Sequence, residues 1–130
     1  MTELFQNEYI VITREPDQVV RLKRTKRPIT VEAFASLGNI FEQLFTPEEL
    51  RGLRLLIDSR DAPLSRDPEA ERQTGALMIH FDKLIYRRAV LVKTAVGRLQ
   101  ATRINRERGT NNLTFDDEVG AIQYLLQDNP

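Results

Sequence analysis

The apolar run within Glu8 to Thr13 reads as a first strand, and Gln18 to Arg24 as a second, in which Val20 and Leu22 alternate with Arg21 and Lys23. A period of two predicts strands with one covered face. Arg14, Glu15, Pro16 and Asp17 form a turn between them, since proline presets φ and aspartate suits the closing position. The spacing then changes to that of a helix. Val31, Phe34, Leu37, Phe41 and Leu44 make one stripe, Thr30 is placed to cap it, and the pattern predicts a helix to about Phe45. Thr46 and Pro47 announce a second, short helix. Leu53, Leu55, Leu56 and Ile57 form a nearly continuous apolar run, the mark of a strand covered on both faces in a parallel sheet. Only Arg54 interrupts it.

After Asp58 the chain turns polar through Ser59, Arg60, Asp61, Ser65, Arg66 and Asp67. Asp67 before Pro68 is a strong helix start, and the next helix should run to about Ile85 with Ala70, Thr74, Leu77, Phe81 and Leu84 on its sheet side. Met78 and Ile79 fall off that stripe. Ile79 should share an outer face with Gly75 and Tyr86, which suggests a dimer contact. Ala89 to Val92 predicts another buried strand. A weaker helix is expected from Ala95 to about Arg108, carrying Arg98, Arg103, Arg106 and Arg108, which read as solvated surface rather than an anion site, and closed by Gly109. Leu113 to Phe115 makes a last strand. Asp116 or Asp117 then caps a final helix with Val119, Ile122, Leu125 and Leu126 as its stripe.

The expected order is β-β-α-β-α-β-α-β-α: an α/β fold with a mixed, mostly parallel five-stranded sheet, an N-terminal β-hairpin and four helices. Each of the last three strands follows a helix, so right-handed crossovers make them mutually parallel and, if neighbours in sequence are neighbours in space, put the crossover helices on one face. The carboxyl end of the central strand and the start of the next helix meet between Asp58 and Asp67, where open α/β sheets commonly bind their ligands.

Composition narrows the chemistry. A chain of 130 residues suits one domain, residues 1–130. Nineteen basic residues balance nineteen acidic ones, so no global field points to nucleic acid or an anionic membrane. Lys23, Arg24, Lys26 and Arg27 form a local basic run, which reads either as phosphate contacts or as the guard of an edge strand. Without interleaved aromatics, the edge-strand reading is preferred. The absence of cysteine removes disulfides, thiolate nucleophiles and Cys-type zinc sites. No integral membrane segment and no signal peptide are read, so the expected location is cytoplasmic. His80 is the sole histidine, and a catalytic role for it would need a carboxylate partner and a nucleophile that no motif supplies. Asp58, Asp61 and Asp67 have the oxygen chemistry for a hard cation, but Arg60 and Arg66 favour internal salt bridges. No catalytic residue, metal or cofactor is expected.

The entry to the first helix at Pro28, Ile29, Thr30, Val31 and Glu32, the strand end at Leu55, Leu56, Ile57 and Asp58, and the helix end at His80, Phe81, Asp82 and Lys83 come in a suggestive order. They are followed by Arg88 to Val92 and by Phe115 to Ile122. In order and spacing nearly the whole chain resembles the STAS domains, in particular their SpoIIAA-like group. The resemblance implies a strand–helix fold with a mixed sheet. It also implies a regulatory module of the anti-sigma-factor-antagonist kind, with a kinase or anti-sigma-type regulator as partner. Such modules carry a phosphorylated serine at the helix after the central strand, and Ser65 is the nearest residue by position, although the usual Asp-Ser-Ser/Thr-Gly segment is missing. Asp58, Ser59, Arg60, Asp61, Ser65, Arg66 and Asp67 would then form the partner loop. Other SpoIIAA-like proteins resemble Sec14-type lipid carriers, so a small apolar ligand is the alternative, with Met78 and Ile79 as its support.

Overall fold

The computed structural model describes residues 1–63, 68–94, 99, 103 and 113–127. Its six strands lie in chain order: β1 (Thr2–Gln6), β2 (Ile10–Arg14), β3 (Val20–Arg24), β4 (Arg54–Asp58), β5 (Arg87–Leu91) and β6 (Leu113–Phe115). β2 pairs antiparallel with both β1 and β3, and β3 to β6 pair in parallel, so β2 alone runs against the rest. The five expected strands are present. β1 is a sixth, lying outside the hairpin and serving as one edge of the sheet.

That edge position corrects the reading of the basic run. β3 lies between β2 and β4 and guards no edge. Lys23 instead reaches Asp61 at 3.7 Å, and Arg27 pairs with Glu8. Arg24 is half-buried, and burial pushes its guanidinium below the usual range.

Helices α1 (Val31–Ala35), α2 (Leu37–Leu44), α3 (Pro47–Arg51) and α4 (Pro68–Leu84) share one core with the sheet, while α5 (Glu118–Leu126) packs on the other side. The first core joins Ile10, Ile12, Val20, Leu22, Leu55 and Ile57 of the strands to Leu37, Phe41, Met78 and Phe81 of the helices. The second joins Leu56, Ala89 and Leu91 to Ala121 and Leu125. Alternation along β4 thus sends Leu55 and Ile57 to one side and Leu56 to the other. Both faces are covered, as the apolar run requires. The helix expected over 95–108 lies, apart from Leu99 and Arg103, outside the described residues.

Local signals set the helix starts. The Thr30 hydroxyl accepts from the Ala33 amide at 3.1 Å, and Asp117 accepts from Gly120 at 2.7 Å. Thr46 and Glu49 form a reciprocal capping box, with Pro47 between them at the first helical position. The single helix expected from Val31 is divided at Ser36, whose hydroxyl donates back to the Ala33 carbonyl at 2.8 Å and competes with the helical ladder. α4 begins at Pro68 as its sequence demands. Its buried line, however, is Gly75, Met78, Phe81 and then Ile85 beyond its end, with Leu77 and Leu84 partly buried beside it. Met78 therefore belongs to the core, and the support it lent to an apolar-ligand carrier is gone.

The β2–β3 turn closes with Glu15 N–H donating to Val19 at 2.8 Å and Gln18 N–H to Glu15 at 3.3 Å. Gln18 sits at φ 69°, the left-handed position that glycine takes without steric cost. Replacing Gln18 by Gly is expected to raise stability by roughly 0.5–1 kcal/mol, because relief of the left-handed strain exceeds the added freedom of the unfolded chain. Urea denaturation checks the sign.

Candidate functional site

β4 ends in Asp58, which alternation directs to the α5 side of the sheet. Its side chain is 1 % exposed, and both carboxylate oxygens are engaged. Oδ1 accepts from the Arg60 backbone amide at 3.3 Å and from Arg60 Nε at 3.0 Å; Oδ2 accepts from Arg60 Nη2 and Arg21 Nη1, each at 2.8 Å. Four donors fill the lone-pair directions of a carboxylate. Arg21 is shared in turn, its Nε bonded to Glu15 at 2.6 Å and its Nη2 to Glu118 at 2.9 Å, and Arg60 also reaches Glu118 at 3.1 Å. The five side chains tie the hairpin turn, β3, the loop after β4 and the first turn of α5 into one network.

The electrostatics follow from that packing. Burial on its own would push the Asp58 carboxyl up, but the hydrogen bonds and charge of Arg60, followed by the Arg21 bond, outweigh it and hold the group below the ordinary carboxylate range. Burial likewise opposes the charge on Arg21, and its bonds to Glu15 and Glu118 overcome this and raise the guanidinium. Arg60 is raised chiefly by its bond to Asp58. A carboxylate so fully donated to has no free lone pair for a cation or for proton abstraction. Among the described residues no group of three or more His, Cys, Asp or Glu is placed to hold a metal ion.

Of the expected loop, the structure brings Asp58 and Arg60 together and turns Arg60 inward. Ser59 is half-buried and donates its amide to Leu91 at 2.8 Å, while Asp61 and Pro63 face solvent. Ser65, Arg66 and Asp67, including the possible phosphosite and the α4 cap, lie outside the described residues. Ile79 is 40 % exposed on α4, but Gly75 is buried and α4 ends at Leu84, so the shared outer face with Tyr86 is not formed. Tyr86 instead packs beneath the guanidinium of Arg54 at 4.8 Å and that of Arg87 at 5.5 Å. His80 is exposed on α4, 3.9 Å from Glu42 of α2.

Sequence reasoning passed over Arg21, Glu15 and Glu118, whose positions are far apart along the chain. It also passed over the opposite end of α5. There Arg54 donates to the carbonyls of Leu125 and Gln127, and Arg87 donates to that of Tyr124 at 2.8 Å, satisfying the last carbonyls of the helix. No helix among the described residues is long and apolar enough to cross a membrane.

No protein-family model matches this chain, and no curated protein matches it in sequence. Among solved structures it is similar to a crystal structure, at 2.25 Å, of an uncharacterised DUF3478-family protein with a SpoIIAA-like fold from Shewanella loihica PV-4. The two are 19 % identical, with a TM-score of 0.64 over 93 % of this chain and 98 % of the other. At that identity the likeness speaks of architecture, and it agrees with the sheet order and with the helices on both faces. The chain has a SpoIIAA-like fold.

Proposed function

We propose that this protein is a non-enzymatic regulatory module that docks a protein partner through the loop after β4 and the exposed flank of α4. The observation that carries the reading is the anchoring of the loop's root. Asp58 is locked by four donors, while Asp61 and Pro63 immediately beyond it face solvent and Ile79 is exposed farther along α4. A rigid base beneath an exposed polar loop lowers the entropy lost on docking. A kinase or anti-sigma-type regulator is the partner class that the family resemblance suggests, with phosphorylation of Ser65 as its switch. A homodimer contact at Ile79 belongs to the same reading.

The test uses capture from native lysate with the unaltered chain and with an Asp61→Lys/Ile79→Glu double variant. Both substitutions are on the surface, so the fold should change by no more than about 0.5 kcal/mol each. The expected result is loss of specific partners with an unchanged melting temperature. Equal recovery by both proteins would overturn the reading.

A further inference from the structure

α5 is apolar on two sides. Ala121 and Leu125 are buried against Leu56, Ala89 and Leu91 of the sheet. On the opposite side Val119, Gln123 and Leu126 recur at i, i+4 and i+7, with Ile122 on the flank. Val119 is 67 % exposed and Leu126 44 %. No charged side chain occurs from Val119 to Gln127, so the outer stripe is uncharged over the whole helix. Single exposed apolar residues are ordinary, but a helix without charge on its outer side has the pattern of one covered on both sides. Among the described residues α5 is the only helix on its side of the sheet, so no neighbouring helix supplies that cover.

The charges at the two ends of the helix select the occupant. Asp116 and Asp117 stand exposed at its start. At its far end the guanidinium groups of Arg54 and Arg87 gather at the last carbonyls. A second α5 laid antiparallel on the first sets each acidic end beside the other copy's arginines and each uncharged stripe on the other. A parallel arrangement would oppose acid to acid. The complementary surface is thus carried by the same chain, and one two-fold operation satisfies both ends. We infer that α5 is the contact of a two-fold homodimer, in which Val119 of each copy meets Leu126 of the other and Gln123 lies near the axis beside its own symmetry mate. A contact one helix wide falls below about 1,200 Å² in total, the size of weak and transient interfaces, so the dissociation constant should be micromolar. α5 lies on the opposite side of the sheet from α4, which makes this contact distinct from one at Ile79 and leaves α4 open to a partner.

Sedimentation velocity of the full chain, from about 1 µM to about 500 µM, brackets the expected constant. The expected result is a reversible monomer–dimer equilibrium. Gln123→Glu and Gln123→Lys each place like charges across the axis and should each weaken the dimer about tenfold or more. An equimolar mixture of the two variants should restore association, because the charges then meet as opposites. Glutamine, glutamate and lysine are near-equal helix formers and the position is exposed, so both variants should keep the melting temperature of the unaltered chain. A monomer throughout the range, undiminished association of either variant, or no recovery in the mixture would each overturn the assignment. Ile79→Glu should leave association unchanged, and loss of the dimer in that variant but not in Gln123→Glu would overturn it in favour of a contact on α4. Lysate capture with the Asp61→Lys/Ile79→Glu variant reads the docking surface separately, so either reading can fail without the other.

Discussion

Phe81→Ala is expected to destabilise the protein by about 3–5 kcal/mol, the range for truncating a buried phenylalanine. Phe81 is 1 % exposed and meets Phe41 of α2 edge to face, with centroids 5.1 Å apart and planes at 73°. Phe41 in turn stacks on Phe45 at 5.9 Å. One ring thus joins α4 to α2, and both helices cover Leu55 and Ile57 of the sheet. Alanine forms helix slightly better than phenylalanine, but that gain of about half a kcal/mol is small beside a cavity and a lost aromatic pair. A domain of this size holds roughly 5–15 kcal/mol in total, so the variant should unfold at a much lower denaturant concentration. Ile79→Glu, two residues earlier on the solvent side, should leave the midpoint nearly unchanged. Equal midpoints for the two variants would mean that α4 packs with another face.

Asp58→Ala is expected to cost about 3 kcal/mol at neutral pH, the low end for removing one partner of a buried ion pair. The low end applies because Arg21 keeps Glu15 and Glu118, and Arg60 keeps Glu118 and water. The same carboxylate makes stability depend on pH. Its folded value is held below the unfolded one, so the folded protein releases this proton more readily than the unfolded chain. The contribution is therefore complete above about pH 4 and is lost as pH falls through the lower folded value. Denaturation curves of the two proteins should stand apart at pH 7 and approach one another in strong acid. A constant separation across that range would show that Asp58 acts through shape alone.

Most of the architecture was legible because core strands and capped helices carry their signals locally. The run from Leu53 to Ile57, the threonine caps at Thr30 and Thr46, and Pro68 each declare an element within a few residues. β1 escaped because the pairing register shifts between Glu3 and Phe5, so Leu4 and Phe5 both pack against the core in succession and the period of two is broken. The α4 stripe was read one position out of phase, since Leu77 and Leu84 are apolar yet only flank the line through Met78 and Phe81. The site was half legible. Asp58 announced itself at the end of a buried strand, and Arg60 as its neighbour, but Arg21 looked like one solvated residue of an alternating strand. Only the sheet order brings it, Glu15 and Glu118 to the same carboxylate. Arg54 read as an interruption of the apolar run, whereas its charge holds the last carbonyls of α5.

The strand order has a further consequence, for the rate at which the chain folds. Each strand lies beside the one that precedes it in sequence, so no pairing has to wait for a later strand to be inserted between two earlier ones. The β2–β3 hairpin can form first through its short turn, and β4, β5 and β6 can then join one edge in succession, each closing only its own connection. Contact order stays lower than in sheets whose first and last strands must meet at the centre, and less unpaired edge is exposed to intermolecular association while the chain folds.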